Sequence, residues 1–320
     1  MSNFPKFVEF HEEGPREGFQ IEKEIYPLEA RAALVDALSE TGLVQIQVAS
    51  FVNPKAVPAM ADADQLFGAI HRKPGVRYTA LWLNERGFQQ AAANPGVDLD
   101  GKLMFYASDG LSLHNNNCAA EVMHERQIKW AYLYQEHGVP LESAYIMAAF
   151  GCNFDGPVPL ERVMDIVRFI VERFAGEGRP VPRIYLADTV GWANPEEVKR
   201  RVAAVRDIAP DVRIGLHLHD TRGLGGANVY AALQMGVDLF DSSVAGLGGC
   251  PFANHGDTSA AGNVCTEDMV YLCAELGIET GIDTEALVEA GMLAERIIGR
   301  KLNGKLIRNG TLAKFRGNGG

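Results

Sequence analysis

The sequence predicts a single α/β domain of the (β/α)8 type, the TIM-barrel fold, with an additional C-terminal helix and tail. Eight short apolar runs alternate with helical patterns along the 320 residues. Such alternation requires parallel strands joined by helical crossovers, and eight repeats favour a closed barrel. Several polar residues stand where the proposed strands end, which is where barrels of this kind build their sites.

The eight candidate strands are short and apolar, and they cover residues 7–11, 44–50, 78–83, 102–108, 143–151, 183–189, 213–219 and 238–246. Helical spacing of apolar residues, often closed by Gly or Pro, marks the segments between them, notably 28–42, 119–138, 159–178 and 195–210. One more helix is expected over residues 283–300. We therefore expect a catalytic barrel domain over residues 1–300 and a basic, flexible tail over residues 301–320.

The composition is that of a globular protein with a large core, since 47% of the residues are hydrophobic and 22% are charged. A formal net charge of -11 provides no basic surface, so nucleic acid is not expected as a partner. No apolar run reaches membrane-spanning length and the first residues lack a targeting pattern, so we expect a cytoplasmic protein without a membrane partner. The five cysteines are widely spaced without a CxxC pair, which favours reduced thiols.

Two histidines stand at the end of the seventh candidate strand, in 213-RIGLHLH-219. Residues two apart on a strand point to the same face, so His217 and His219 can converge on one point. Neutral imidazole is a common metal ligand, and a divalent metal would explain the pair. The alternative is a strand-end pair that hydrogen-bonds to backbone and neighbouring acids.

Other segments favour the metal. Glu17 follows the first strand beside Arg16, and Asn263 lies in the long segment after the last strand. Strands one, seven and eight are neighbours in a closed barrel, so Glu17, His217, His219 and Asn263 can surround one ion. Mixed nitrogen and oxygen ligands suit Mg²⁺ or Mn²⁺, with Zn²⁺ and Co²⁺ as alternatives, acting as a Lewis acid.

The segments GPREGFQ, SFVNPKAVPAMAD, LADTVG, HLHDTRG and DSSVAGLGGCPFA with GNVCTED occur in this order between residues 8 and 295. Together they resemble the 3-hydroxy-3-methylglutaryl-CoA lyases, metal-dependent barrel enzymes related to the isopropylmalate and homocitrate synthases. The resemblance implies that a divalent metal binds the four residues named above, that Arg16 meets the substrate carbonyl, and that Cys250 lies on a mobile lid. It also implies a homodimer.

Two positions depart from the family pattern. The family motif reads Arg-Asp-Gly, whereas this chain has Glu17, which adds one methylene to the expected ligand. The second strand of the lyases carries Glu, whereas this chain has Gln47, which cannot exchange a proton as a carboxylate does. The segment after Cys250 is also longer and adds His255. We therefore expect a changed pocket or a changed set of acid and base residues.

The expected reaction is a retro-aldol or retro-Claisen cleavage of a 3-hydroxy-3-methylglutaryl-CoA-like 3-hydroxyacyl-CoA, giving acetyl-CoA or a related thioester and a keto acid. The catalytic candidates are Arg16, Cys250, Asp188 and His217, and His219 and His255 are further acid or base candidates. The candidates for substrate binding are Gln47, Ser50, Tyr145 and His255. Asp188 is alternatively a loop cap, and Tyr145 is alternatively packing.

Two alternatives remain open from the sequence. A condensing synthase or aldolase would use the same metal and enolate chemistry in the opposite direction, although related synthases continue into long C-terminal domains. A barrel that has lost catalysis and acts as a binding subunit would account for the departures at Glu17 and Gln47.

Overall fold

The computed structural model describes residues 4–249 and 262–316. The chain divides into two compact units. Among the described residues, the central unit comprises residues 4–5 and Leu99–Phe240, and the terminal unit comprises Lys6–Asp98, Asp241–Gly249 and residues 262–316.

Eight parallel strands form the sheet of the described residues. They are β1 (Glu9–Glu12), β2 (Gln45–Phe51), β3 (Arg77–Trp82), β4 (Gly101–Tyr106), β5 (Leu141–Met147), β6 (Arg183–Ala187), β7 (Ile214–His217) and β8 (Leu239–Ser242). In the terminal unit the strand order is β3-β2-β1-β8, and in the central unit it is β8-β7-β6-β5-β4.

Thirteen α-helices are present in the described residues. They are α1 (Gly14–Ile21), α2 (Leu28–Ser39), α3 (Ala63–Ala69), α4 (Glu85–Ala93), α5 (Asp109–Asn116), α6 (Ala120–Glu136), α7 (Leu160–Gly176), α8 (Pro195–Ile208), α9 (Gly225–Gln234), α10 (Thr266–Glu275), α11 (Thr284–Ile298), α12 (Leu306–Asn309) and α13 (Ala313–Arg316). Several begin at side-chain caps, as when Asn194 accepts hydrogen bonds from the first backbone amides of α8. Such caps satisfy amides that have no partner inside the helix.

Buried strands explain why the apolar runs in the sequence are nearly continuous. Every residue of β2 is buried, as expected for a parallel strand that is covered on both faces. The polar residues within it, Gln45, Gln47 and Ser50, are therefore buried as well. Since buried polar groups need partners, their hydrogen bonds indicate what these side chains do.

All eight predicted strands are present, although six are shorter than predicted and two of these end four residues early. The segment 238–246 forms β8 only to Ser242, because Val244–Gly246 turns and Ala245 has a φ of 55°. The segment 143–151 forms β5 only to Met147 and continues into a small hairpin of Gly151–Cys152 with Gly156–Pro157. The apolar residues beyond both strand ends are buried in these turns, which explains why the sequence pattern continued.

The boundary at residue 300 stays a prediction. Residues 301–316 include the helices α12 and α13, and Leu302, Leu306 and Ile307 in this segment are buried. Four cysteines, Cys118, Cys152, Cys265 and Cys273, are free thiols. Within residues 4–249 and 262–316, no helix has the length and apolar character needed to span a membrane.

Candidate active site

In the terminal unit, Arg16 and Glu17 lie on α1, directly after β1. Pro15 favours the start of this helix because its fixed φ suits the first helical position and the amide it lacks would have had no partner inside the helix. The residue before the helix, Glu13, donates its backbone N–H to the Ser242 carbonyl oxygen over 2.8 Å. The end of β8 therefore fixes where α1 begins.

The Arg16 guanidinium has three acceptors. Its Nη2 donates to Glu13 Oε2 over 2.7 Å and to Glu17 Oε1 over 3.0 Å. Its Nε donates to Gln47 Oε1 on β2. Burial opposes the charge, but Glu17 and Glu13 outweigh it, so the pKa of Arg16 is raised above its ordinary value. Arg16 is therefore a fixed cation within a largely buried cluster.

Asn263 is held beside Glu17. Its Nδ2 donates to Glu17 Oε2 over 2.5 Å and to Ser243 Oγ over 2.8 Å. Because both Nδ2 hydrogens of Asn263 point to these two oxygens, its Oδ1 points away from Glu17 and Ser243. This buried oxygen has no hydrogen-bond partner among the residues that the structure describes, so it can accept a ligand.

Ser50 lies on β2 with Gln47 and is fully buried. Its hydroxyl donates to Gln20 Oε1 over 2.9 Å. The terminal unit thus brings together Arg16, Glu17, Gln47 and Asn263 by direct hydrogen bonds, and the one described bond of Ser50 leads to α1 through Gln20.

In the central unit, His219 and Asp188 are joined through the backbone. His219 Nδ1 donates to the Asp188 carbonyl oxygen over 2.7 Å, and the Asp188 backbone N–H donates to the His217 carbonyl oxygen over 2.8 Å. The His217 and His219 rings lie edge to face, with centroids 5.1 Å apart. This geometry is consistent with the prediction that the two imidazoles lie close together.

The Asp188 carboxyl is buried at the end of β6. Its Oδ1 accepts from the backbone amides of Trp192 over 2.6 Å and Ala193 over 3.1 Å, as expected for the loop cap that was the alternative interpretation. Burial raises the pKa of Asp188 to about 7, although the two amides and His217 oppose that effect. A carboxyl that exchanges its proton near neutral pH suits acid and base chemistry, so the two interpretations are compatible.

Tyr145 stacks on Tyr185 of the next strand, with ring centroids 4.3 Å apart. The strand register places these two residues opposite each other. The edge of the Tyr145 ring also meets His217, with centroids 6.5 Å apart. Packing therefore fixes the ring of Tyr145, and its role in substrate binding stays a prediction.

Sequence reasoning missed three acidic residues. Glu12 and Glu267 are fully buried, and Glu13 contacts Arg16 directly. The signal for Glu13 was its position three residues before Arg16 and directly before a helix. Cys250 and His255, predicted for catalysis and substrate binding, lie outside the described residues.

Comparison with known proteins identifies the fold and the family. The crystal structure of hydroxymethylglutaryl-CoA lyase from Pseudomonas aeruginosa is 38% identical, covers 96% of this chain and 98% of that chain, and has a TM-score of 0.86. The structure of an HMG-CoA lyase from Acinetobacter baumannii in complex with coenzyme A and 3-methylmalate is 34% identical, covers 98% of both chains and has a TM-score of 0.85. The fold is therefore a (β/α)8 barrel, as predicted.

The family model described as HMGL-like matches residues 7–293. The curated 3-hydroxy-3-isohexenylglutaryl-CoA/hydroxy-methylglutaryl-CoA lyase of Pseudomonas aeruginosa is 39% identical over 312 residues, which are 98% of this chain and 99% of that protein. The chain belongs to the HMGL-like family and is a carbon–carbon lyase, so the family resemblance found in the sequence is confirmed.

Proposed function

We propose that this enzyme cleaves a 3-hydroxy-3-methylglutaryl-CoA-like thioester to acetyl-CoA and a keto acid. The observation that carries the proposal is the full-length likeness to lyases of this name in a chain that has Glu17, His217, His219 and Asn263. The coenzyme A complex of the Acinetobacter baumannii relative supports a thioester substrate. Because the Pseudomonas aeruginosa relative is also named for an isohexenyl substrate, a longer acyl branch is a second candidate.

We propose that Glu17, His217, His219 and Asn263 hold a divalent cation. Support comes from the metal-ligating character of Glu17, His217 and His219. The buried Asn263 Oδ1, which has no hydrogen-bond partner in the described part of the chain, is a suitable oxygen ligand. The Asp188 carbonyl takes the Nδ1 hydrogen of His219, so Nε2 of the neutral ring carries the lone pair that a metal needs.

When bound, the cation would supply Lewis-acid polarisation of substrate oxygens. We propose Mg²⁺ or Mn²⁺, with Zn²⁺ and Co²⁺ as alternatives for this mixed nitrogen and oxygen ligand set. The protein's own groups must then move two protons. A base removes the hydroxyl proton of the substrate, the bond between the carbinol carbon and Cα breaks to give the keto group, and the electron pair passes to the thioester enolate. An acid then protonates the enolate carbon to give acetyl-CoA.

We assign these proton transfers to Asp188 and Cys250, with His255 as a further candidate. His217 takes part in catalysis through the cation, and His219, also an acid or base candidate, can exchange a proton only when it does not bind the cation. Asp188 is suited to the proton transfers because its pKa of about 7 lets it both accept and donate a proton near neutral pH. We place Arg16 at the thioester oxygen, where negative charge grows as the bond breaks. A buried, fixed guanidinium needs little reorganisation at that moment, which is why such groups stabilise transition states.

We further propose a cytoplasmic homodimer. The free thiols of the described cysteines support a reducing compartment. Gln47, Ser50, Tyr145 and His255 remain our candidates for substrate binding.

The test uses purified protein loaded with Mg²⁺ or Mn²⁺ and a panel of 3-hydroxyacyl-CoA thioesters that includes 3-hydroxy-3-methylglutaryl-CoA and its isohexenyl analogue. Acetyl-CoA release is followed by liquid chromatography and mass spectrometry. We expect metal-dependent cleavage that a chelator abolishes and that His219→Ala removes. His71→Ala is the matched control, because the exposed His71 pairs with Asp36, and it should retain full activity.

The same protein is also incubated with acetyl-CoA and 2-oxo acids while free thiol is measured. Thiol release without any thioester cleavage would establish the condensing alternative. Absence of both reactions in protein shown to contain stoichiometric metal would refute the proposed function and favour a binding role.

A further inference from the structure

Glu13 lies closer to the Arg16 guanidinium than Glu17 does. Its Oε2 accepts from Arg16 Nη2 over 2.7 Å, and its side chain is 3% exposed, whereas the side chain of Glu17 is 13% exposed. Glu17 Oε1 accepts from the same nitrogen over 3.0 Å. Glu17 also accepts from Asn263 and is the proposed metal ligand. Of the two carboxylates, Glu13 is therefore the closer to Arg16 and the more deeply buried, whereas Glu17 has the proposed role of metal ligand.

The backbone holds Glu13 in this position. Glu13 stands directly before α1, its amide donates to the Ser242 carbonyl oxygen, and its own carbonyl oxygen accepts from the amides of Arg16 over 3.2 Å and Glu17 over 2.8 Å. These backbone hydrogen bonds fix the main chain from which the Glu13 side chain reaches Arg16. The pairing is thus built into the turn from β1 to α1.

Gln47 completes the cluster as a neutral acceptor. Its Oε1 accepts from Arg16 Nε, and the residue is 2% exposed. One guanidinium already faces two carboxylates, so a glutamate here would add a third negative charge in a buried place with no further cation described beside it. Buried charge without a partner is strongly unfavourable. An amide keeps the hydrogen bond and avoids that charge.

We propose that Glu13 is the positioning residue for Arg16 and that it supplies, from the start of α1, the carboxylate that β2 lacks at Gln47. The inference rests on the proposed function, in which Arg16 faces the thioester oxygen. Glu13 acts through Arg16, so its loss should lower kcat more than it raises KM. The proposal also predicts that a glutamate at position 47 on β2 can take over this role when Glu13 is replaced by glutamine.

The test compares wild type, Glu13→Gln, Gln47→Glu, and the double variant Glu13→Gln/Gln47→Glu in metal-loaded thioester cleavage. Glu13→Gln should lower kcat about 10- to 100-fold through misplacement of Arg16. Gln47→Glu should also lose activity, because it crowds three carboxylates on one cation. The double variant should recover to within about threefold of wild type, an effect that simple damage to the fold cannot produce.

Glu22→Gln is the matched control, because Glu22 follows the other end of α1 and pairs with Arg300. It should have wild-type kcat and KM. Glu13→Asp keeps the charge and should have activity between those of wild type and Glu13→Gln. If Glu13→Gln does not fold, this variant and the double variant still decide the question.

A second readout does not depend on turnover. The Nε–H of Arg16 donates to Gln47 Oε1, so its signal in a nitrogen–proton correlation spectrum, assigned with Arg16→Lys, shows whether the guanidinium is in place. The signal should be protected in wild type, lose protection in Glu13→Gln as the guanidinium moves, and be protected again in the double variant. If wild type cleaves no thioester, the proposed function fails while this signal still tests the positioning role. Additive losses in the double variant, or Glu13→Gln within twofold of wild type with an unchanged Arg16 signal, would overturn the inference.

Discussion

Glu267→Gln tests whether burial keeps a carboxyl protonated beneath the turn that follows β8. Glu267 lies in the first turn of α10, and its Oε2 accepts from the Ala245 backbone amide over 3.0 Å. Its Oε1 is buried and has no hydrogen-bond partner in the part of the chain that the structure describes. The pKa of Glu267 is raised from 4.5 to about 8, mainly by burial and to a smaller extent by the charges of Asp268 and Glu12, against the Ala245 amide, which lowers it.

The direction in which the unfolding free energy changes with pH follows from whether the folded or the unfolded chain binds the Glu267 proton. Between pH 4.5 and about 8 the folded chain holds this proton and the unfolded chain releases it, so folding takes up a proton and stability falls as pH rises. The contribution of Glu267 is complete below pH 4.5 and lost above about pH 8. The difference in pKa corresponds to a change on the order of 5 kcal/mol, of which about 3 kcal/mol falls between pH 5 and pH 8.

Glutamine preserves the acceptor for Ala245 and has no proton to lose. Its amide nitrogen occupies the place of the unpartnered Oε1, which costs about 1 kcal/mol at every pH. We therefore expect the variant to be slightly less stable than wild type at pH 5 and more stable at pH 8. Glu12 and Asp188, whose pKa values burial also raises to about 7, leave a shallower slope of the same sign in both proteins.

The assay is urea unfolding at pH 5, 6, 7 and 8, followed by tryptophan fluorescence and circular dichroism. The measured quantity is the difference in unfolding free energy between wild type and variant at each pH. The exposed Glu275, which pairs with Arg316, provides the matched control Glu275→Gln, for which the difference should stay nearly constant. A constant difference for Glu267→Gln as well would show that this carboxyl is ionised when folded, and the reasoning would be wrong.

Three further predictions concern Asn263 in the terminal unit, Asp188 in the central unit, and Gly215 in the core. Asn263→Ala removes the proposed oxygen ligand and should weaken Mn²⁺ binding about 10- to 100-fold by titration calorimetry; unchanged affinity would exclude Asn263 from the ligand set. Asp188→Asn keeps an acceptor for the loop amides but cannot exchange a proton, so kcat should fall about 100-fold or more while metal content is unchanged. Wild-type turnover in that variant would leave Asp188 with the loop cap alone. Gly215→Ala would place Cβ 2.5 Å from the Tyr185 ring, which should lower the unfolding free energy by about 1–3 kcal/mol in urea; an unaltered midpoint would mean that the stacked ring moves freely.

The strands and the two histidines could be predicted from the sequence because their signals are local. A buried parallel strand needs a short run of apolar residues, and residues at its end lie at the edge where a barrel builds its site. His217 and His219 stand two residues apart at such an end, and their rings do come close together. The same reasoning located Asp188 at the end of β6.

The acid positions were beyond local reasoning because an acidic residue in a sequence is ordinarily read as solvated surface. Glu12 is fully buried only because the amides of Gly14 and Val244 and the hydroxyl of Thr266 reach it, and two of these come from segments more than 200 residues away. The start of α1 was missed for a related reason. Gly14 and Pro15 ordinarily indicate a turn, and here they begin a helix.

The buried acids of the terminal unit also explain how it can carry so many carboxyl groups near one arginine. Glu12 adjoins Glu13, and the charge of Glu13 helps to raise the pKa of Glu12, although burial is the larger cause. Since burial raises the pKa of Glu12 to about 7 and that of Glu267 to about 8, below about pH 7 both carboxyl groups are mostly protonated and accept from backbone amides while adding little negative charge. Glu13 and Glu17 then carry two negative charges against the one positive charge of Arg16. The remaining negative charge favours the binding of a further cation without breaking the ion pairs of the Arg16 guanidinium. A glutamate at position 47 would disturb that balance, which is why the neutral residue on β2 and the carboxylate before α1 are best understood as one arrangement.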